Sequence, residues 1–399
     1  MKLALLGDDA ETLHAARAVA ASGQHALVWI CDCDPAAAKD LVRLAPTAKW
    51  TGDWESLLSG QVADAVLVGR GPDQERRADQ LRKLVQAGVP TVVVHPAVDS
   101  MLVYYELEMI REQVGGKLVP LLTSRRRAAV VHALECLSTG ESALGPVEQL
   151  ALERQMPDRT ENSVWRQLAR DVDLAQVFAG ELNQVSALAP AEAERAYANL
   201  GVQWTGPAGV VVRWTVGPVV DRPGGKLTLL GRGGRLVIDM PDEGSWTVTD
   251  GSGAEAKTRS FSSDEAQTAA LLQIQETFEP TPPTPSWADA ARTLELADAV
   301  ARSLAKGRTI TLYDEDYSEQ HTFKGKMAAA GCSLLMLSLA LFLLGAVAAK
   351  VGVPLAGYTP WLIAAALLGF LLLQTLTLVF PAESRAPHEA HATGDSHGR

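Results

Sequence analysis

Up to about residue 124 the chain alternates short, continuously apolar runs with helix-length stretches of mixed polarity. The runs are Leu3 to Leu6, Leu27 to Cys31, Ala65 to Gly69, Thr91 to His95 and Leu118 to Leu122, and most gaps hold a helical segment such as Glu75 to Ala87. Strands that are apolar at consecutive positions are buried on both faces. Strands separated by helices form a parallel sheet, so this region predicts a doubly wound α/β domain.

After residue 125 the rhythm changes to a helix followed mostly by strands: Val147 to Glu153, Gln184 to Leu188, Val210 to Thr215, Lys226 to Leu230, Arg235 to Met240 and Ser245 to Thr249. Turn signals at Arg222 to Gly225 and Gly231 to Gly234 predict an antiparallel meander with one face covered by helices, an α+β domain with an open antiparallel sheet. A long helix is expected from Asn162 to Leu182. Beyond the Pro-rich stretch Pro280 to Pro285, an amphipathic helix over 287–305 presents Leu294, Ala297, Val300, Ala301 and Leu304 on one face, which suits packing back onto the body.

Two later runs, Met327 to Ala349 and Trp361 to Phe380, carry no charged side chain. At about 1.5 Å per residue each reaches roughly 30 Å or more, enough to cross a bilayer as a helix. The short Gly- and Pro-containing segment between them predicts a transmembrane hairpin over 327–380 with both ends on one side. Lys324 and Lys326 precede it and Arg385 follows it, while the loop holds only Lys350, which favours the body and the C-terminal tail on the cytoplasmic side of the inner membrane. The predicted domains are therefore 1–124, 125–312, a linker at 313–326, two transmembrane helices at 327–349 and 361–380, and a tail at 381–399 whose composition does not support folding. The spans lack the ionisable groups or broken helices expected of a transport path, so membrane lipid is a partner and tethering is the hairpin's role.

Composition narrows the classes further. The net charge of −11, with no basic stripe to offset it, argues against nucleic acid as a partner. Met1 to Asp9 is too short and too acidic to be a secretory signal. Cys31, Cys33, Cys136 and Cys332 form no disulfide framework, and the Asp34-Pro35 turn beyond the Cys-x-Cys pair makes a metal site there unexpected. His388, His391 and His397 are explained by a solvated tail, so no metal site is predicted.

In a doubly wound sheet the ligand sits beyond the C-terminal strand ends, and the turn after the first strand holds phosphate at a helix N-terminus. That turn reads Gly7-Asp8-Asp9-Ala10-Glu11-Thr12, in which only Gly7 matches a dinucleotide fingerprint. Asp8, Asp9 and Glu11 would repel a pyrophosphate, and as helix caps they favour the positive end of the helix. Asp32, at the end of the second strand, stands where a ribose hydroxyl is normally accepted, although an Asp at a strand end is by itself more often a turn residue.

Taken together, the chain resembles the Gfo/Idh/MocA family over about residues 1–312. The resemblance is carried by Leu27-Val28-Trp29-Ile30-Cys31-Asp32-Cys33-Asp34-Pro35, by Asp64-Ala65-Val66-Leu67-Val68 with Ala87-Gly88-Val89-Pro90, and by Ala143-Leu144-Gly145-Pro146-Val147. Gly231 to Asp239 and Asp298 to Ile310 are similar to the family's later strand and final helix. The resemblance implies an N-terminal Rossmann-like domain, a nicotinamide cofactor (NAD or NADP), a sugar-like or cyclitol substrate, and homo-oligomers formed through the outer face of the second domain's sheet over Val210 to Met240.

It also implies site residues. Where the family carries Glu-Lys-Pro, this chain reads Val94-His95-Pro96, so His95 replaces the lysine near the nicotinamide and serves either as a general acid or base or as a packed strand-end histidine. The family's second catalytic stretch ends on Asp173-Leu174 and Gly180, but its histidine position falls on Arg170 and its preceding aspartate on Arg166. The candidates are thus His95, Arg170 and Asp173 for catalysis and Gly7, Asp32 and His95 for cofactor. Arg166 and Arg170, one helical turn apart, suit a carboxylate or phosphate, or form a solvated face with Arg170 paired to Asp173; Arg125-Arg126-Arg127 is another candidate anion contact, or surface charge and nothing more. With its turn and catalytic positions altered, the chain is expected to be a membrane-anchored, non-catalytic ligand-sensing or interaction protein that binds the cofactor poorly. The alternative is an active NAD(P)-dependent oxidoreductase.

Overall fold

Six strands, β1 (Lys2–Leu6), β2 (Ala26–Cys31), β3 (Lys49–Trp50), β4 (Ala65–Val68), β5 (Thr91–Val94) and β6 (Leu118–Leu121), form the first sheet in a computed structural model of the chain. The structure describes residues 1–312 apart from 141, 143, 191–195, 252–255, 263–264 and 277–284, together with Lys350. The strand order is β3-β2-β1-β4-β5-β6 and every neighbouring pair is parallel, as expected of a doubly wound domain. Helices α1 (Ala10–Ala21), α2 (Pro35–Leu44), α3 (Gln74–Gln86) and α4 (Met101–Val114) connect the strands. β4, β5 and β6 are buried at every position because both faces are covered, which is why they read as unbroken apolar runs. The edge strand β3 is two exposed residues long and gave no such signal.

The second sheet has nine strands: β7 (Gln149–Gln155), β8 (Gln184–Leu188), β9 (Gly201–Thr205), β10 (Val211–Gly217), β11 (Gly224–Gly231), β12 (Gly234–Pro241), β13 (Trp246–Asp250), β14 (Lys257–Phe261) and β15 (Ile310–Thr311). Their order is β14-β13-β12-β11-β7-β10-β9-β8-β15. The expected meander is present over β11 to β14, with Gly231 opposite Gly234 in the first hairpin. Two expectations need correction. The sheet is mixed, because β10 runs parallel to β7. Arg222 to Gly225 does not close a hairpin: the connection from β10 to β11 crosses the end of β7, where the Val220 and Asp221 N–H groups donate to Gln155 Oε1 at 2.8 and 3.4 Å. The outer face of this sheet is polar, an open groove bordered by Glu153, Lys226, Thr228, Arg235, Thr247 and Thr249.

The inner face packs on helices, chiefly α5 (Ala128–Thr139), α6 (Glu161–Ala179) and α8 (Trp287–Lys306). The period of two along β7 places Arg154 inside with Leu150 and Leu152, so its charge needs a partner in the core. Asp171 of α6 supplies it, accepting from Arg154 Nε at 2.7 Å, from Trp214 Nε1 at 2.7 Å and from Gln167 Nε2 at 3.0 Å.

Two late helices also serve the first sheet. α7 (Glu265–Glu276) packs on α1, placing Ala270 and Ile274 in a core with Leu3, Leu5, Val92 and Leu121. Gln273 donates to the Pro120 carbonyl at 2.6 Å and accepts from the Leu122 N–H at 3.0 Å. α8, begun by a capping box at Ser286 and Asp289, returns to the body as expected: Trp287 stacks on Tyr104 at 4.6 Å and its Nε1 donates to the Tyr104 carbonyl at 2.9 Å. The described residues up to Leu312 belong to one compact unit. The expected linker, the two spans at 327–349 and 361–380 and the tail lie outside the described residues. Among those described, no helix is long and apolar enough to cross a membrane.

The buried ion pair offers a direct check of this packing. Asp171→Ala leaves Arg154 charged in the core and orphans Trp214 Nε1. It is expected to lower the unfolding free energy by about 3–5 kcal/mol in urea titrations, whereas Arg154→Met with Asp171→Leu recovers most of that loss.

Candidate functional site

β1 bonds to β2 on one side and β4 on the other, so the crevice beyond their C-terminal ends is the switch point of the sheet. The chain leaves β1 through Gly7, whose φ of 113° belongs to a region that favours glycine; a Cβ there would also lie 3.1 Å from Arg77 Nη2 and 3.3 Å from Gly69. Asp8 turns aside and accepts the Asp34 N–H at 2.6 Å. Asp9 is the N-cap of α1. Its Oδ1 accepts the Glu11 and Thr12 N–H groups, each at 3.1 Å, while Oδ2 accepts the Arg70 N–H at 2.8 Å and the Thr12 hydroxyl. A Cβ on Gly69 would meet this carboxylate oxygen at 2.3 Å. The protein's own anion therefore sits among the donors that a helix N-terminus offers to phosphate.

Asp32 is also engaged. It stands at the end of β2 with φ of 50°, which Asp tolerates better than most residues, and accepts from Arg76 Nη2 at 2.9 Å and from Gln80 Nε2 at 2.8 Å. Next to it Arg77, 2% exposed, lays its guanidinium against Gly7 and Gly71, with Nε and Nη1 lacking hydrogen-bond partners. Burial pushes its pKa down, and the Asp32 and Asp9 carboxylates oppose that shift.

The three catalytic candidates come together beneath this crevice. His95, 1% exposed, bonds through Nδ1 to the Tyr104 hydroxyl at 3.2 Å and through Nε2 to Thr293 Oγ1 at 2.7 Å. Because the Thr293 hydroxyl donates to the Ala290 carbonyl at 2.8 Å, the network assigns the proton to Nε2 and makes Nδ1 the acceptor, leaving a neutral imidazole with both nitrogens satisfied. Burial, followed by the Arg170 and Arg125 charges, pushes its pKa from the usual 6.5 down to about 3. Arg170 does not pair with Asp173 as the helical spacing suggested. It reaches across to Glu11 at 3.0 Å and donates to the His95 carbonyl at 3.1 Å. Asp173, fully buried, is instead bound by both prongs of Arg125. Burial raises the pKa of Asp173 against the opposing Arg125, and burial likewise raises that of Glu11 against the opposing Arg170. Between Glu11, His95, Arg170 and Asp173 remains a cavity of about 10 Å³, room for roughly one water.

No family model matches the sequence, and no curated protein matches it. Solved structures do. The myo-inositol dehydrogenase from Corynebacterium glutamicum is 20% identical with a TM-score of 0.63, over 78% of this chain and 99% of that one. A levoglucosan dehydrogenase in complex with NADH and L-sorbose is 15% identical with a TM-score of 0.65, over 78% and 99%. An oxidoreductase from Agrobacterium radiobacter in complex with NAD+, L-tartaric acid and magnesium is 16% identical with a TM-score of 0.63, over 78% and 98%. The chain has the fold of these dehydrogenases. At such identities the likeness extends to the fold alone, and function has to be argued from the site.

Against that fold, the sequence pointed to Gly7, Asp32, His95, Arg170 and Asp173 but not to the groups that engage them. Tyr104 and Thr293 reach His95 from α4 and α8, and Arg76 and Gln80 reach Asp32 from α3; Tyr104 is nine residues from its partner and the other three are more than forty. Arg77 did leave a trace, since it shares the buried face of α3 with Ala78, Leu81 and Leu84. Of the basic run, Arg125 holds Asp173 and Arg127 stacks over Trp246 at 4.1 Å.

The neutral His95 has a consequence for stability. Its folded pKa lies below its unfolded value, so the unfolded chain takes up a proton below about pH 6.5 that the native ring refuses. The contribution is complete above that pH and is lost on acidification toward pH 3, at about 1.4 kcal/mol per unit. Urea titrations between pH 7 and pH 4 are expected to show the wild type losing stability more steeply than His95→Asn by about that slope; equal slopes would mean the ring is protonated in the native state.

Proposed function

We propose that this dehydrogenase-fold protein performs no conventional hydride transfer and uses the remaining cleft for ligand sensing or for a protein partner, with its body tethered to the inner membrane on the cytoplasmic side. The observation that carries this reading is the position of the Asp9 carboxylate among the donors at the α1 N-terminus. The residues present do not fit a dinucleotide. Its pyrophosphate would have to displace Asp9 and lie beside Asp8, and its ribose would have to displace Arg76 and Gln80 from Asp32. Likewise His95 has no free nitrogen with which to move a proton, and Asp173 is held by Arg125.

A second reading, an active NAD(P)-dependent oxidoreductase for a sugar-like or cyclitol substrate, is favoured by the fold likeness and requires those side chains to rearrange. Calorimetric titration of the purified full-length chain with NAD(H) and NADP(H) separates the two. No binding below about 1 mM is expected; sub-millimolar binding would overturn the non-catalytic reading. Asp9→Gly should lower stability by only about a few tenths of a kcal/mol through loss of the cap, and at the same time raise the affinity for NADH. If the variant binds NADH no better than the wild type, Asp9 is a cap and nothing more.

Tethering is supported by the two charge-free runs and the lysines that precede them. The full-length chain is expected to stay in the membrane fraction through an alkaline carbonate wash, and deletion of 327–380 to release it. Self-association through the outer face of the second sheet belongs to the same proposal, on a face that offers threonines and charges rather than an apolar patch.

A further inference from the structure

We propose that the Glu11–Arg170 ion pair is an autoinhibitory latch, which closes the cavity beneath the crevice and has to part before a ligand can enter it. This rests on the reading above that the cleft takes a ligand, and adds how entry is controlled. The pair joins α1, on the first sheet, to α6, on the second, with Glu11 Oε1 3.0 Å from Arg170 Nη1. The two helices belong to different apolar cores. α1 buries Ala15, Ala16 and Val19 in the core that holds Leu3 and Leu5, whereas α6 buries Val164, Leu168 and Val172 in the core that holds Leu150 and Leu152. An ion pair rather than interlocked side chains therefore holds this edge of the cleft, and contacts with little apolar burial open at lower cost than packed ones.

The cavity shows what the latch bars. Its buried walls are His95, Leu122 and Asp173, and Glu11 and Arg170, both half-buried, stand at its rim. With Glu11 in place it offers about 10 Å³, room for roughly one water, so an organic ligand fits only when the Glu11 side chain gives up its volume. The two members of the pair are not equally fixed. Arg170 is also anchored by the hydrogen bond from its Nε to the His95 carbonyl at 3.1 Å, whereas among the described residues the Glu11 carboxylate is held by Arg170 alone. Rotation of this one side chain toward solvent opens the rim and leaves Arg170 in place. Burial raises the pKa of Glu11 even against the attraction of Arg170, so the closed arrangement carries a desolvation cost that release recovers.

The test reads the latch without any ligand. Thr123→Cys puts a thiol on the cavity wall of the full-length chain, and its alkylation by iodoacetamide is followed by peptide mass mapping, with the native Cys31, 0% exposed, reporting on unfolding in the same sample. Adding Glu11→Gln is expected to speed alkylation of the new thiol by at least about threefold, the scale set by loss of a half-exposed ion pair, while Cys31 stays protected. Arg170→Gln breaks the pair from the other side and should do the same, and Glu11→Asp, which keeps the charge with a shorter reach, should fall in between. Equal rates with and without the pair would overturn the proposal. So would a rise that Cys31 shares, since that marks general loosening rather than an opened rim. NADH titrated calorimetrically into the same chains addresses the cofactor reading separately: sub-millimolar binding would sink that reading, and the latch stands or falls on the alkylation rates alone.

Discussion

The Asp9 carboxylate accepts hydrogen bonds from the Glu11 and Thr12 N–H groups, from the Arg70 N–H and from the Thr12 hydroxyl, tying the turn after β1 to the loop after β4. Those two loops form the walls of the crevice at the switch point, so this one side chain sets both their separation and the charge between them. A carboxylate with four donors is strongly held, and it brings its negative charge to the place where a dinucleotide fold otherwise presents positive potential. Gly69 is the matching concession from the other wall, because any side chain there would collide with Asp9 and Thr12. Around this point the remaining polar groups fall into place: Asp8 on the Asp34 N–H, Arg76 and Gln80 on Asp32, and the Arg77 guanidinium packed against Gly7 and Gly71.

The same logic of internal pairing runs between the two sheets. Arg170 of α6 pairs with Glu11 of α1, and Arg125 pairs with Asp173, so charges that would otherwise face a ligand face one another. His95 is clamped between the Tyr104 and Thr293 hydroxyls, which fixes α4 and α8 to the end of β5, and α7 adds Ile274 and Gln273 to the first sheet from a late part of the chain. Buried ionic pairs contribute little net stability but are costly to break singly, so this network favours one arrangement of the cleft over its alternatives. The cleft is narrow beneath the crevice, with about 10 Å³ left free.

How legible the molecule was follows from the range of the forces involved. The parallel sheet was readable because β4, β5 and β6 are buried on both faces and therefore apolar at every position. The meander was readable from glycine turns such as Gly231 to Gly234. β3, with two exposed residues, and β9, β14 and β15 were not singled out. The parallel pairing of β10 with β7 was equally hidden, because the pattern of a strand records which face is buried and not which neighbour it meets. Gly7, Asp32, His95, Arg170 and Asp173 were identified as positions from their places at strand ends and on α6, but their partners were not.

By itself, then, the sequence determined that β-branched runs alternate with helices, that an antiparallel meander follows, that Asp8, Asp9 and Glu11 oppose a phosphate at the α1 N-terminus, and that the later charge-free runs are long enough to span a bilayer. These are local properties, set by periodicity, capping and hydrophobic length. Only the tertiary structure decided that Arg170 answers Glu11 rather than Asp173, that Arg76 and Gln80 close over Asp32, and that Tyr104 and Thr293 fix the tautomer of His95. Each of these pairings joins groups brought together by packing, and a charge or donor a few residues away carries no information about which distant partner burial will bring beside it.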